Sequence, residues 1–266
     1  MQWAASITLG EAFPGIFFAI VAIVVAAIGY FSWQAEKKRR EAMLAWAHAG
    51  GWEYDPGKRR GQFSYNLDIC KRGHSRYSRY SARRSFESTI PGLEHDTVVE
   101  LCEYHYAVTR NSGKNSSTQH YYFTCGRLTP GIDLGHLVIR DEHWGDRFAG
   151  AIGFDDIDFE DPDFSKRFHV SAASRQDAYD LIDHNVMRYL RAHPGWTIEA
   201  YGPTLYVWQR GKVTPERYDA KVRFVLGLLA QVPRVMVNRE RARRGLPPVL
   251  EAGGSSSESR RGRTAG

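Results

Sequence analysis

The sequence predicts an α+β protein with an N-terminal transmembrane helix, followed by a soluble mixed or antiparallel sheet with helices packed on one face. Three observations support this fold class. Residues 14–33 form one long apolar run, β-favouring runs occur in pairs joined by polar turns, and helical patterns lie between those pairs. With 42% hydrophobic and 13% aromatic residues, the soluble part has enough apolar side chains to bury a core.

The apolar run is long enough to cross a bilayer. No residue from 12 to 35 is charged. At a rise of about 1.5 Å per residue, residues 14–33 span about 30 Å, which matches the hydrocarbon core. Tyr30, Phe31 and Trp33 are placed for an interfacial aromatic belt. A buried core helix is the alternative interpretation, but core helices rarely run this long without a polar face.

The flanking charges predict the orientation of this helix. Residues 1–13 contain no Lys or Arg, whereas the basic cluster at 37–40 follows the apolar run directly. Under the positive-inside rule, residues 1–13 lie outside and the soluble domain lies in the cytoplasm, at the inner membrane of a bacterial cell. A cleaved signal peptide is the alternative, but the basic n-region and the small-residue cleavage site are missing. An odd, sparse set of three cysteines also favours a reducing compartment.

The juxtamembrane segment, residues 34–50, is predicted to continue as a basic helix that Gly50-Gly51 ends. The soluble α+β domain then occupies residues 51–248, either as one unit or as two lobes with a boundary near residue 150. The tail from 249 to 266 is rich in Gly, Ser and Arg, and we expect it to be disordered.

A basic stretch, residues 58–84, contains nine Lys or Arg residues, one acid and three interleaved tyrosines. In a chain of net charge +6, such a stretch can bind anionic lipid headgroups or a nucleic acid, or form a solvated edge whose arginines pair with acids elsewhere. Because the membrane helix already holds the stretch near lipid, nucleic acid is the least favoured of the three. The candidate headgroup contacts are Lys37, Lys38, Arg39, Arg40, Arg76, Arg79, Arg83 and Arg84.

The rest of the domain is predicted from alternation and capping patterns. The predicted strands are 52–54, the long hairpin of 97–108 and 119–128, 137–139, 154–159, 168–170, and the hairpin of 197–200 and 204–208. One helix is expected between Ser174 and His193, and a second from Thr214 to Pro233.

No motif in the sequence assigns a metal site or a catalytic residue. Cys102, His105, His120 and Cys125 supply zinc-type ligands, but residues three apart on a strand point to opposite faces, so we expect no zinc site. The acidic run 155–163 lacks the glycine and the glutamate that an EF-hand loop requires. No phosphate-binding glycine loop and no nucleophile elbow occurs. We therefore expect no cofactor and no metal, and we assign no catalytic residue.

Three features resemble a family of single-pass, membrane-anchored proteins of actinobacterial type. They are the transmembrane helix with the basic helix that ends in Leu44-Ala-Trp-Ala-His-Ala-Gly-Gly-Trp-Glu-Tyr54, the segment Asp163-Phe-Ser-Lys-Arg-Phe-His-Val170, and the following order of helix, two strands and helix through Leu205-Tyr-Val-Trp208. The likeness covers most of residues 14–233 and is least clear from 58 to 95. The resemblance implies a membrane anchor and no particular activity.

The leading functional hypothesis is a non-enzymatic cytoplasmic domain that binds a protein partner or assists envelope assembly or signalling. A membrane-tethered hydrolase is the alternative, and it requires several of Asp96, Glu100, His105, His120 and His136 to converge in one pocket. A third hypothesis is binding of anionic lipid or nucleic acid through residues 58–84.

Overall fold

The structure is a computed structural model that describes residues 9–61, 67–113, 115–141 and 157–249. Most of the predicted extracytoplasmic segment 1–13, nearly all of the tail, the proposed boundary near residue 150 and the first residues of the acidic run lie outside the described residues. The strands before and after that boundary belong to one sheet.

Helix α1 runs without interruption over 41 residues, Leu9–Ala49. Among the described residues, its segment from Phe17 is the one helix long and apolar enough to cross a membrane. The large side chains from Phe17 to Trp33 are 43–68% exposed, so no other part of the described protein covers them. Beyond them the same helix enters the domain, where Met43 and Ala47 are fully buried. The predicted membrane and juxtamembrane helices are therefore one element.

The described residues form one eight-stranded antiparallel sheet with strand order β1-β2-β3-β4-β8-β7-β5-β6. The strands are β1 Glu53–Asp55, β2 His74–Phe86, β3 Thr97–Ser112, β4 Asn115–Thr129, β5 His136–Asp141, β6 Phe168–Ala172, β7 Thr197–Tyr201 and β8 Thr204–Arg210. The predicted hairpins are present as β3–β4 and β7–β8, with β3 and β4 paired along their whole length.

The α-helices pack on one face of this sheet, as the fold class predicts. They are α2 Pro162–Ser165, α3 Arg175–Leu181, α4 His184–Ala192, α5 Pro215–Leu229 and α6 Arg234–Arg243, together with the end of α1. Their buried apolar side chains form the main core with Val99, Leu128 and Val207 of the sheet. On the other face, Leu67 and Ile69, beside and within a short 3₁₀ helix at Asp68–Lys71, cover a row of aromatic rings.

The structure differs from the sequence prediction at several elements, among them strand β2 and the short helix α2, which were not predicted. The helix expected from Ser174 to His193 is divided into α3 and α4, because the Asp183 side chain accepts hydrogen bonds from the backbone N–H of Asn185 and Val186 and begins a new helix. Residues 157–159, expected as a strand end, are not in a strand, although Ile157 N–H donates to the Val170 carbonyl. Helix α6 was not expected.

Strand β2 occupies the second half of the basic stretch and is bent in two places. Ser75 and Tyr80 have φ of 53° and 55°, which is uncommon for residues with a side chain. The pairing register of β2 with β3 shifts around both residues. These are β-bulges, which bend a strand and increase its twist.

Candidate functional site

A network of buried charges joins helix α1, just beyond its apolar run, to the sheet. Glu103 on β3 is fully buried. Arg79 on β2 donates to it from Nε at 2.6 Å, and Arg39 on α1 donates from Nη1 at 3.2 Å. The backbone N–H of Val213, in the β8–α5 loop, donates to the same carboxylate at 2.7 Å. One carboxylate therefore connects α1, two sheet strands and the start of α5.

A second carboxylate, Glu36, completes the network. Arg79 Nη1 donates to Glu36 Oε1 at 2.8 Å, and the Tyr80 hydroxyl donates to the same oxygen at 2.6 Å. Arg39 pairs with Glu36 one helical turn away. Two guanidinium groups thus balance two carboxylates, so the network buries ions without burying net charge. Because breaking such a set leaves an uncompensated buried ion, it fixes α1 in one position on the domain.

The far end of the α1 segment inside the domain is fixed by aromatic packing. Trp46 Nε1 donates to Asp219 of α5 at 2.8 Å, and the Trp46 ring stacks on Trp52 with centroids 5.1 Å apart. Arg84 at the end of β2 donates to the Gly50 carbonyl at 2.5 Å. Contacts therefore hold this part of α1 at both ends, and the helix passes from the apolar run into the core without a flexible break.

A histidine and tyrosine cluster lies on β2, β3 and β4 beside the network. His105 Nε2 and His120 Nδ1 are 3.0 Å apart, and the His105 ring stacks on Tyr77 at 4.4 Å. Tyr122 lies 4.8 Å from the same ring. Burial lowers the pKa of His105, which favours the neutral ring that a hydrogen bond between two imidazoles requires.

The predicted lipid contacts fall into three groups. Arg39 and Arg79 have side chains only 12% and 13% exposed and are occupied by the network. Lys37, Lys38 and Arg40 are exposed on α1. The remaining three lie on β2: Arg76 donates to the Cys70 carbonyl, Arg84 to that of Gly50, and exposed Arg83 lies 3.8 Å from Glu100. That any of these residues contacts headgroups stays a prediction. Exposure favours such contact for Lys37, Lys38 and Arg40, whereas the burial of Arg39 and Arg79 disfavours it.

The four zinc-type residues lie on two faces of the sheet, as expected from their spacing along the strands. Cys102 and Cys125 face each other across β3 and β4 on one side of the sheet, while His105 and His120 meet on the other. No group of three metal-type ligands occurs among the described residues. Burial raises the pKa of Cys102, which makes its thiol a poor nucleophile.

The residues of the hydrolase hypothesis do not converge, apart from the two histidines of the cluster. Glu100 pairs with Arg127 at 2.8 Å on the opposite side of β3 from His105. His136 lies on β5 against Tyr201, and Asp96 is exposed before β3. A cleft of about 440 Å³ beside β1 is lined by charged groups, including Glu100 and Arg127.

Lys221 is a buried ionisable residue that was not among the candidates predicted from the sequence. It lies on α5 with no exposed surface, 3.2 Å from the Val207 carbonyl, to which Nζ donates, and 4.4 Å from the centre of the Trp196 ring. Burial lowers its pKa to about 7. The spacing Tyr218, Lys221, Val225 places it on the buried stripe of a helix, which is the signal that identifies it.

Comparison with models of known protein families and with curated protein sequences gives no match. Among solved structures, the chain is similar to the mycobacterial trehalose monomycolate transport factor A, TtfA. The TM-score is 0.47 and the sequence identity 10%, over 79% of this chain and 97% of that chain. No functional conclusion follows from a likeness at this level.

Proposed function

We propose that this protein is a non-enzymatic adaptor that binds a protein partner at the inner face of the bacterial membrane, as an accessory of an envelope-associated assembly. The observation that carries the proposal is that α1, the helix long and apolar enough to cross a membrane, is also a part of the domain core. Met43 and Ala47 of this helix are fully buried, and Arg39 reaches the buried Glu103.

A helix that continues from the apolar run into the domain core does more than hold the domain near lipid. A flexible linker would be enough to raise the local concentration of a domain at the membrane. A buried ion network contributes little net stability compared with apolar packing, and its best-supported effect is to specify one arrangement. The network at Glu36, Arg39, Arg79 and Glu103 therefore supports a function in which the orientation of the domain matters, as in presenting one surface to a membrane-embedded partner.

The experiment that tests this proposal separates orientation from proximity. A flexible Gly-Ser segment of about six residues is inserted between Gln34 and Ala35 of the full chain, and the matched control carries the same segment after Gly245. A photoreactive side chain at exposed Lys166 or Arg188 records partner adducts in membranes of the host cell.

We expect both insertion variants to stay in the membrane fraction and to unfold at the same temperature as the parent chain. The α1 insertion abolishes the partner adduct, whereas the control insertion preserves it. An adduct that survives the α1 insertion contradicts the proposal. So does turnover of a small-molecule substrate by the purified full chain, which would make the protein an enzyme.

A further inference from the structure

The contacts of α1 define which end of the sheet faces the membrane. Arg79 of β2 binds Glu36, close to the apolar run, and Arg84 of β2 binds the Gly50 carbonyl at the other end of the helix. Moving from Arg84 to Arg79 along β2 therefore moves toward the bilayer. Because β3 is antiparallel to β2, its residues after Glu103 continue in the same direction.

The long β3–β4 hairpin extends from this point. Glu36 follows Trp33 by about 4.5 Å along the helix. The paired residues His105 and Tyr122 lie about 7 Å beyond Glu103, and Ser112 lies about 30 Å beyond it, at the usual rise of a strand. The hairpin is thus longer than the distance from the network to the end of the apolar run.

The chemistry of the hairpin determines where it can go. Residues 109–113 and 115–120 are exposed and are mainly Ser, Thr and Asn, which cannot enter hydrocarbon without losing their hydrogen bonds to water. One of the two bulges of β2, at Ser75, bends the sheet on this side of the network. An arm of this length and polarity that is directed at a bilayer lies along the headgroup layer.

The same end of the sheet carries tyrosines paired with cations. Lys58 lies over the Tyr77 ring and Lys212 over the Tyr122 ring, each at 4.9 Å, and Arg210 lies over Tyr121 at 5.3 Å. All three cations are exposed, as is Arg110 in the hairpin. Strand segments 74–79, 103–112 and 115–124 contain one acid, Glu103, and the buried network neutralises it.

We propose that this proximal end, defined as Lys58, Tyr77, residues 105–113 and 115–122, and residues 210–212, lies on the headgroup layer of the membrane that α1 crosses and binds anionic lipids there. Tyrosines with Lys and Arg are the side chains that favour a membrane interface, and exposed cations without free acids complement an anionic leaflet. This inference rests on the membrane anchor of the proposed function and adds a second, electrostatic contact with the same bilayer. The lysines Lys58 and Lys212 were not among the contacts predicted from the sequence.

The test uses the full chain in nanodiscs of phosphatidylglycerol mixed with phosphatidylcholine, or of phosphatidylcholine alone. A photoreactive side chain replaces exposed Ser117 in the hairpin, or exposed Ala230 at the far end of α5, and mass spectrometry detects lipid adducts. Ala230 marks the distal end, because nearby Leu226 accepts a hydrogen bond from Thr89, which follows the end of β2.

We expect lipid adducts at position 117 and none at 230, with a higher yield in the anionic nanodiscs. Lys58→Glu with Lys212→Glu lowers the yield at 117 by about tenfold, because two cations are lost and two acids repel the surface. The matched pair Arg223→Glu with Arg234→Glu changes net charge equally at exposed sites away from this end and leaves the yield unchanged.

Three results would overturn the inference: no lipid adduct at 117, equal yields in neutral and anionic nanodiscs, or an adduct with a second copy of the chain in place of lipid. Each of these leaves the anchor intact when the chain is embedded in the nanodisc. A chain that fails to enter the nanodiscs contradicts the anchor and this inference together.

Discussion

Two buried ionisable residues on facing elements are accommodated by opposite means. Glu103 is paired with the guanidinium groups of Arg79 and Arg39, whereas the Lys221 amine donates to one carbonyl and lies over one aromatic ring. Burying an unpaired ion is costly, and the amine avoids the cost by releasing its proton near neutral pH. These two residues therefore differ in how substitution and pH affect the free energy of unfolding.

Lys221 gives a pH dependence with a defined sign. Between its folded-state pKa of about 7 and its ordinary value of 10.5, the unfolded chain binds a proton that the folded chain has released. The contribution to stability therefore rises with pH across this window and is lost as pH falls to 7. From about pH 7 to about pH 9, we expect the parent chain to gain roughly 2 kcal/mol relative to Lys221→Met.

Denaturant unfolding of the full chain in detergent at the two pH values measures this difference. Lys166→Met, at an exposed lysine, serves as the control and should follow the parent chain. A Lys221→Met variant with the same pH dependence as the parent would show that the amine is charged in the folded protein at both pH values.

Glu103→Gln tests the buried network. The substitution preserves the shape of the side chain and removes the negative charge that Arg39 and Arg79 share, so we expect a loss of about 3–5 kcal/mol in the free energy of unfolding. Glu100→Gln on the same strand alters a pair whose side chains are 34% and 32% exposed, and should cost at most about 1 kcal/mol. Equal effects in thermal unfolding would mean that the network is not specially stabilising.

Among the helices and strands, those whose apolar residues recur at a regular helical or strand period were predictable from the sequence. The β7–β8 hairpin and helix α5 have alternating or helical apolar residues and turn or capping signals, and both are present. Strand β2 was not predicted, because two of its three buried residues, Ser78 and Ala82, are small and its bulges interrupt the alternation. The capping signal at Asp183 favours two helices, whereas the apolar period favours one longer helix. Sequence periodicity does not reveal which of the two forms.

The candidate site was less predictable than the fold, because its charges pair across long stretches of chain. Arg79 and Glu36 are 43 residues apart, and nothing in the sequence links them. For residues 58–84 the sequence left open lipid binding, nucleic-acid binding and a solvated edge whose arginines pair with acids elsewhere. Arg79 does pair with distant acids, but inside the protein and not at a solvated edge. Separating exposed cations from structural ones required the register of β2 on β3.

At the scale of the molecule, the orientation in the membrane remains a prediction from charge. The cluster at 37–40 follows the apolar run, and no basic residue precedes it. In a bacterial host, we expect a fluorescent protein fused after Gly266 to be fluorescent and a periplasm-active phosphatase at the same position to be inactive. The reverse pattern would place the domain outside the cytoplasm and direct the search for partners there.

The matched control for this measurement changes the charge bias alone. Moving the exposed residues Lys37, Lys38 and Arg40 to positions ahead of the apolar run, with Arg39 kept in the buried network, reverses the bias that sets orientation. A phosphatase fusion that becomes active only in that variant confirms the physical reason for the topology, and two inactive fusions would show that another feature sets it.

Because α1 continues as one helix from the apolar run into the domain core, the apolar run and the domain move together. Hydrophobic helices tilt when the bilayer is thinner than their apolar length. In this chain, any tilt of the segment 14–33 is transmitted through Met43 and the charge network to the whole sheet. At a lever length of about 30 Å, a tilt of about 20° displaces the tip of the β3–β4 hairpin by about 10 Å. We therefore expect the thickness of the membrane that α1 is predicted to cross to set the height at which the domain meets neighbouring proteins.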